Sequence, residues 1–307
     1  MTIANMVEGF QEHYGLHKQP FSLAPNTEFY VDVKTQQECF NVLSYALQLG
    51  EGFIKITGEV GTGKTLLCRR LLNTLCEKNY LSVYIPNPAL SPQALWRAIA
   101  HELKIEVNKI DIHQLQEAIQ QRLLTLAQQG RAVVLVVDEA QCIPEDSLEA
   151  LRLISNLEAE SRSLIQIVLF GQPELDSLLS QNRFRQLKQR ITYSAALTAI
   201  DSDSMQHYIQ QRMILAGYRG MPVFEENALK LMSKASAGIP RLINIIAQKA
   251  LFSAFGGGSK KVSAAHVRAA AKDTEGAKPL AAENRYYWKE ITFIAVMACW
   301  VVMHELS

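Results

Sequence analysis

The residues best suited to chemistry stand in one short run, G-E-V-G-T-G-K-T at positions 58–65, which fits the pattern G-x-x-x-x-G-K-[S/T] at every fixed position. Glycines allow the backbone to turn tightly, so that successive N–H groups point at phosphate oxygens. The lysine of this pattern reaches the β- and γ-phosphates, and the hydroxyl after it binds Mg²⁺. The residues that we predict to bind nucleotide are Gly58, Glu59, Val60, Gly61, Thr62, Gly63, Lys64, Thr65 and Leu66.

The sequence on either side of this run supports the interpretation. Residues 53–57, F-I-K-I-T, are typical of a strand, and residues 66–77 have the apolar spacing of a helix. A phosphate-binding loop lies between a strand and a helix N-terminus, whose dipole adds partial positive charge. We therefore predict that ATP and Mg²⁺ bind here.

Two adjacent carboxylates form the second candidate group. Asp138 and Glu139 directly follow residues 132–137, A-V-V-L-V-V, a run typical of a strand buried on both faces of a parallel sheet. A carboxylate at the end of a buried strand is costly without a positive partner, and a Mg²⁺ beside the phosphate loop supplies one. We expect Asp138 to bind the metal together with Thr65, and Glu139 to act as the general base on the attacking water.

Three further residues are candidates because of their positions. Gln172 follows the apolar strand predicted at 164–170, where it either orients water and senses the γ-phosphate or is an ordinary polar turn residue. Arg190 lies just before the strand predicted at 191–197, where it could present a guanidinium to a neighbouring subunit's nucleotide. Arg241 begins a helix near the C-terminus and is placed to contact phosphate.

Strands and helices alternate over residues 35–200, which predicts an α/β fold with a parallel five-stranded sheet of the P-loop NTPase class, in the group whose catalytic glutamate follows the metal aspartate. A capping box at Thr35 to Glu38 predicts the start of a helix that covers the nucleotide base. Residues 201–275 contain only helical patterns and predict a small lid domain. Residues 1–34, with prolines and spaced aromatic residues, predict an extended segment packed on the core. Residues 276–307 predict a linker and a short apolar tail.

The apolar tail allows two interpretations. Residues 291–303 carry no charge, but as a helix they would span about 20 Å, short of the ~30 Å hydrocarbon core of a bilayer. The aromatic residues just before them suit peripheral contact with a membrane interface, and a helix docked on the protein or a partner is the alternative.

Composition excludes several classes of protein. With 48% apolar residues the chain is globular, and its net charge of +1 gives no basic field, so we expect no nucleic-acid partner. Five cysteines without paired metal spacing suit a reducing compartment. The N-terminus lacks the pattern of a signal peptide, and we expect a cytoplasmic protein.

Seven short motifs in this order resemble the AAA+ ATPases of the general secretion pathway protein A (ExeA) type: Y-G-L at 14–16, P-F-S-L-x-P at 20–25, G-E-V-G-T-G-K-T at 58–65, V-D-E-A-Q at 137–141, G-Q-P-E-L at 171–175, Q-L-K-Q-R-I at 186–191 and G-I-P-R-L-I-N at 238–244. The resemblance implies an AAA+ protein acting as a homo-oligomeric ring or filament. It also implies partners among the proteins of a type IV (MSHA-like) pilus or type II secretion machine, at the cytoplasmic face of the inner membrane.

The same resemblance assigns residue roles. It implies Gln172 as sensor 1, Arg190 as an arginine finger acting in trans and Arg241 as sensor 2, although the family has Asn, Thr or Ser where this chain has Gly-Gln. Proteins of this type continue into a membrane span and a peptidoglycan-binding domain. Because this sequence ends four residues after its apolar run, we expect no direct remodelling of the cell wall.

Three functions follow from these patterns. The first is an ATPase for pilus or secretion assembly. The second is a DNA-linked AAA+ protein, such as a transposition helper or helicase loader, although no helix-turn-helix motif follows the lid. The third is a scaffold gated by nucleotide that hydrolyses slowly.

Overall fold

Five parallel strands form the central sheet of the computed structural model, which describes residues 3–50, 52–78, 80–106, 111–159 and 162–280. The sheet order is β2-β3-β6-β1-β7, and a two-stranded antiparallel hairpin, β4-β5, precedes β6. The strands are β1 Phe53–Gly58, β2 Leu81–Ile85, β3 Val133–Val137, β4 Glu158–Ala159, β5 Arg162–Ser163, β6 Ile165–Gly171 and β7 Ile191–Leu197. The predicted α/β fold with a parallel five-stranded sheet is confirmed.

The register of the sheet brings the predicted site residues to one edge. Thr57 of β1 pairs with Gly171 of β6, and Val137 of β3 pairs with Leu169 of β6. The carboxyl ends of these three strands therefore lie side by side, with β6 between the strand of the phosphate loop and the strand of the two acids. This is the strand arrangement expected for the predicted NTPase class.

α-Helices cover both faces of the sheet, and further α-helices, loops and three short 3-10 helices complete the described chain. The twelve helices of the described residues are α1 Ile3–Tyr14, α2 Lys34–Leu49, α3 Lys64–Glu77, α4 Pro92–Glu102, α5 Ile112–Gln128, α6 Glu145–Ser155, α7 Glu174–Leu179, α8 Arg185–Arg190, α9 Ser202–Leu215, α10 Glu226–Ser236, α11 Pro240–Gly256 and α12 Ala264–Lys272. Alternate residues of β3 point into two separate cores, Val134 and Val136 towards α2 and α3, and Leu135 towards α4 to α6. Burial on both faces explains why this strand is a continuous apolar run.

The last four helices, α9 to α12, build a separate hydrophobic core from residues such as Met205, Met232 and Ile246. Asp201 caps the first of them, since its side chain accepts a hydrogen bond from the backbone N–H of Ser204. We call α9 to α12 the lid.

The N-terminal segment differs from its prediction. Residues 1–34 were expected to be extended, but Ile3–Tyr14 is a helix, and irregular backbone begins only after it. The two prolines that suggested extended chain stand at positions 20 and 25, too late to prevent this helix. Phe10 stacks on Phe252 of α11, with ring centroids 4.3 Å apart. The segment thus shares the core of the lid, not that of the α/β sheet.

The predicted capping box at Thr35 to Glu38 is wrong. The N-cap of α2 is Val33, which makes no side-chain capping bond, and the helix already begins at Lys34. Val33 is instead buried with the lid core, so the start of α2 is accompanied by tertiary packing and not by a side-chain cap.

No helix within the described ranges combines the length and apolar character needed to cross a bilayer. Residues 291–303, for which we predicted either membrane contact or a docked helix, lie outside those ranges.

Candidate nucleotide site

The loop between β1 and α3 has the backbone of a phosphate cradle. Gly61 and Gly63 have φ angles of 85° and 100°, in the left-handed region that favours glycine. A Cβ atom at Gly61 would lie 2.7 Å from Cβ of Arg241, and one at Gly63 would lie 2.8 Å from Nε2 of Gln36. Both glycines are therefore favoured by their backbone conformation, and at Gly61 the close approach of Arg241 leaves no room for a side chain. Thr62 closes the loop, since its hydroxyl donates a hydrogen bond of 2.8 Å to the carbonyl of Glu59.

Lys64, the first residue of α3, is buried at the base of this loop. Its Nζ donates to the carbonyl oxygens of Gly58, at 2.7 Å, and of Glu59, at 3.0 Å. Burial lowers the pKa of Lys64, and the nearby carboxylates of Glu139 and Asp138 oppose that shift. The side chain is thus a cation in a poorly hydrated position beside the loop.

Asp138 lies at the carboxyl end of β3 and is only 3% exposed. Its Oδ1 accepts a hydrogen bond of 3.0 Å from the backbone N–H of Glu139, and its carboxylate also accepts one from the hydroxyl of Thr65. Burial raises the pKa of Asp138, and these two hydrogen bonds oppose the shift. The structure therefore brings together the two residues that the sequence predicted as metal ligands.

The oxygen donors of Thr65 and Asp138 suit Mg²⁺, which binds few protein ligands and completes its shell with water and phosphate oxygens. The described residues contain no group of three or more His, Cys, Asp or Glu side chains that could hold a metal alone. A site of one hydroxyl and one buried carboxylate consequently fits a magnesium ion that arrives with nucleotide, and it does not fit an ion held by protein ligands alone.

Glu139 has a positive φ of 51°, an uncommon conformation for a residue with a side chain. Its Oε2 accepts hydrogen bonds from Nε2 of Gln141, at 2.6 Å, and from Nε2 of Gln172, at 3.3 Å. The Oε1 of Gln141 in turn accepts the backbone N–H of Gln172 at 2.9 Å. Gln141 therefore bridges the ends of β3 and β6, and Gln172 lies against the predicted base.

Arg241 reaches the phosphate loop from the lid. It is the second residue of α11, and its backbone N–H donates a hydrogen bond of 3.1 Å to the carbonyl of Gly61. With Val60, Lys64 and Glu139 it lines a cleft of about 430 Å³ between the α/β sheet and the lid. Thr65, Leu66 and Gln172 also line this cleft.

Arg190 is the one predicted site residue that lies elsewhere. It ends α8, directly before Ile191, and Ile191 pairs with Phe53 at the amino end of β1. The phosphate loop begins at the other end of β1, roughly 16 Å along the strand. Nη1 of Arg190 donates to the carbonyl and hydroxyl oxygens of Ser155, at 3.0 and 3.1 Å. Arg190 is thus remote from the phosphate loop of its own subunit.

Several residues of the cleft were not predicted from the sequence. Gln36 faces Gly63, and residues 22–26 form part of the wall. Tyr208, Arg212 and Asn244 line the cleft from the lid. Arg212 could have been noticed, because it occupies the buried stripe of α9 that also contains Met205, Ile209 and Met213. A charged residue in such a stripe departs from the expected pattern.

The buried carboxylate of Asp138 gives a prediction for stability. Because the pKa of Asp138 is raised, folding favours its protonated form, so the ionised group destabilises the unliganded protein at neutral pH. In EDTA at pH 7, Asp138→Asn should raise Tm by a few degrees, the scale on which about 1 kcal/mol acts in a chain of this size. The gain should shrink as pH falls towards 4, where the wild-type carboxyl becomes protonated. Differential scanning calorimetry at several pH values tests this, and a loss of Tm at pH 7 would contradict it. Asp146→Asn, which alters an exposed carboxylate in the first turn of α6, controls for substitution itself.

Comparisons with known proteins agree with this geometry. Residues 48–179 match the family described as AAA domain. The chain is 38% identical over 268 residues to general secretion pathway protein A of Aeromonas hydrophila, an alignment that covers 87% of this chain and 49% of that protein. The chain therefore spans about half the length of this curated relative.

Solved structures share the fold. The ORC2 protein of Aeropyrum pernix, in ADPNP-ADP complexes, has a TM-score of 0.62 at 19% identity and covers 86% of this chain and 73% of its own. Cdc6p of Pyrobaculum aerophilum has a TM-score of 0.64 at 20% identity, with coverage of 83% and 70%. The sheet order, the phosphate loop with its adjacent acids and the family match together identify residues 48–179 as an AAA domain of the P-loop NTPase fold.

Proposed function

We propose that this protein is a Mg²⁺-dependent ATPase that works as a ring or filament of identical subunits in the assembly of a type II secretion machine or a type IV pilus. The observation that carries the proposal is the meeting, in one cleft, of the phosphate loop, Glu139 and the lid residue Arg241, with the buried Asp138 bonded to Thr65 of that loop. In this arrangement, the phosphate-binding loop, the metal ligands, the general base and the lid adjoin one another.

The chain's own residues account for nucleotide binding. Backbone N–H groups of the loop and the N-terminus of α3 face phosphate oxygens, and Lys64 exchanges its two carbonyl acceptors for them. Thr65 and Asp138 would hold Mg²⁺, which neutralises charge that develops on the phosphate oxygens. Arg241 contributes a second cation from the lid, so that phosphate contact and lid position are linked.

Glu139 accepts the proton of the attacking water as general base. The two amide groups of Gln141 and Gln172 hold its Oε2, which fixes the carboxylate in one orientation and leaves the other oxygen to receive the proton. In this proposal Gln172 acts through Glu139 as a positioning residue, and it also stands where sensor 1 is expected.

We further propose that Arg190 acts in trans, because its position at the amino edge of the sheet is remote from its own phosphate loop. Each of the Arg190→Ala and Lys64→Ala proteins should hydrolyse ATP too slowly to measure, with a loss of roughly 10³-fold for the arginine. An interface is active when one subunit supplies Lys64 and its neighbour supplies Arg190. If the two variants are mixed equally and assort at random, roughly a quarter of the interfaces should regain turnover. Steady-state phosphate release from the mixture is the measurement.

A matched control comes from the same helix. Arg185 is exposed on α8, so Arg185→Ala should leave turnover unchanged. Mixed assemblies without restored hydrolysis would rule out action in trans for Arg190.

The biological setting rests on the relatives and on the sequence motifs. The 38% identity to general secretion pathway protein A covers most of this chain and supports a role in type II secretion at the cytoplasmic face of the inner membrane. The motifs also resemble those of the MSHA pilus biogenesis protein MshM, which supports a type IV pilus as the machine served. In both cases the partners are inner-membrane proteins, and no nucleic acid is required.

The test is to recover the Glu139→Gln protein from its native cells in ATP, where it should bind nucleotide without releasing its partners. Secretion or pilus inner-membrane proteins in the recovered complex would support the proposal and identify the machine. Salt-sensitive nucleic acid in their place would overturn it in favour of a DNA-linked AAA+ protein. The double variant Glu139→Gln with Lys64→Ala, which cannot trap ATP, controls for contacts that do not depend on nucleotide.

A further inference from the structure

Arg212 of α9 is a buried cation, 5% exposed, whose hydrogen-bond acceptors are all neutral. Its Nε donates to the carbonyl of Pro20 at 2.6 Å, Nη2 to the carbonyl of Ser22 at 3.2 Å and Nη1 to the hydroxyl of Tyr208 at 2.8 Å. None of the ion pairs between described residues includes it. Its guanidinium also lies over the rings of Phe29 and Tyr208, 5.4 and 5.5 Å from their centroids, so this buried cation is held by neutral partners alone.

The guanidinium nitrogens of Arg212 hold the backbone of the irregular segment that follows α1. We call residues 20–26 the strap. Two of the three hydrogen bonds go to strap carbonyls, and Phe21 of the strap is buried in the lid core. Arg69 of α3 holds the other end through the carbonyl of Pro25. The strap is therefore fixed between the lid and the helix of the phosphate loop.

An unbroken series of contacts links the strap to the phosphate loop. The hydroxyl of Tyr208 accepts a hydrogen bond from Nη1 of Arg212 and donates one of 3.0 Å to Oδ1 of Asn244. Asn244 follows Arg241 by one turn of α11, and the backbone of Arg241 bonds to Gly61. The strap and the phosphate loop thus have their relative positions set through the lid.

The cleft has two chemically different ends. Around the phosphate loop it is lined by Lys64, Thr65 and Glu139, whereas the strap contributes only uncharged residues, the apolar Leu23, Ala24 and Pro25 with Ser22 and Asn26 at either side. Apolar side chains without charge suit the flat face of a nucleobase and give nothing to phosphate. The strap is therefore the part of the wall that fits the base.

We propose that Arg212 is a positioning residue for the base of the bound nucleotide, which it serves by holding the backbone of the strap. The proposal rests on nucleotide binding at the phosphate loop. It adds a residue that lets the site bind a nucleotide more tightly than a phosphate chain without a base. Arg212 lines the cleft from the lid, and each of its three guanidinium nitrogens donates to the strap or to Tyr208, so its effect on the base is transmitted through the strap.

The experiment compares two ligands with the same number of phosphates, ADP and inorganic pyrophosphate, which has no base. In the whole chain, Arg212→Met should weaken ADP binding at least about tenfold and leave pyrophosphate affinity within about twofold. Arg212→Lys, which keeps the charge but lacks the fork of donors, should give a smaller loss for ADP alone. Isothermal titration calorimetry measures both ligands, and Arg219→Met, an exposed arginine beyond the same helix, is the control.

Each outcome decides the matter. Equal losses for both ligands would show that Arg212 only supports the fold, and unchanged ADP affinity would remove its role altogether. Equal affinity of the wild-type protein for both ligands would show that no base pocket exists, while leaving the phosphate site intact. A wild-type protein that binds neither ligand would overturn nucleotide binding itself. Should Arg212→Met fail to fold, Tyr208→Phe removes one link of the series and should shift ADP affinity in the same direction by a smaller factor.

Discussion

Lys64→Ala should weaken ATP binding by roughly 100-fold or more, the scale expected when a buried cation loses its charged hydrogen bonds to a ligand. The structure gives the reason. Lys64 is buried beside the loop, and its Nζ lies between the carbonyls of Gly58 and Glu59, within reach of phosphates in the cleft. In this poorly hydrated position, little water competes with a phosphate for the ammonium group. Nucleotide titration by calorimetry measures the effect.

Removing Lys64 also leaves two loop carbonyls without their donor, so the fold must be checked separately. Tm measured without nucleotide checks the fold, because a folded Lys64→Ala protein that fails to bind ATP has lost a contact with the ligand and not its structure. Lys78→Ala changes the same residue type at the exposed C-terminal end of α3 and should bind ATP normally. An unaltered ATP affinity in Lys64→Ala would remove the phosphate loop from the nucleotide site.

The central features of this site were readable from sequence because each depends on neighbours in the chain. The glycines, Lys64 and Thr65 lie within one loop, and its flanking strand and helix follow from local periodicity. Asp138 and Glu139 were identified because a buried strand does not normally end in two acids. Parallel pairing of β1, β6 and β3 then brings the two motifs to one edge, as the fold class requires.

Structural features that depend on contacts between distant parts of the chain could not be predicted from the sequence. The N-cap of α2 is Val33, which is buried in the lid core, and the local pattern at Thr35 could not reveal this contact. The N-terminal helix packs against α11, about 240 residues later in the chain, so its apolar residues had no visible partner in the sequence. Gln141 lies two residues after Glu139, yet its role depends on the end of β6. In each case the partner is set by tertiary packing.

Glu139→Gln should bind ATP with near wild-type affinity and hydrolyse it roughly 10²- to 10⁴-fold more slowly, the usual contribution of a general base. Gln keeps the size of the side chain and removes the negative charge that accepts a proton. The amide groups of Gln141 and Gln172 now donate to Oε2 of Glu139, and a glutamine can still accept one of these bonds through its single oxygen. The cleft should therefore keep its shape. Single-turnover hydrolysis, which isolates the chemical step, is the measurement.

Two further variants test whether the loss of hydrolysis comes from Glu139 itself or from the groups around it. Glu174→Gln alters an exposed carboxylate at the same edge of the sheet and should hydrolyse ATP at the wild-type rate. Gln141→Met keeps Glu139 but removes the amide that donates at 2.6 Å, so it should lower the rate of hydrolysis by less than Glu139→Gln does, with ATP affinity unchanged. If Glu139→Gln turned over normally, the base would be another group. If Gln141→Met lost ATP affinity as well as rate, Gln141 would support the fold of the cleft and not the direction of the carboxylate.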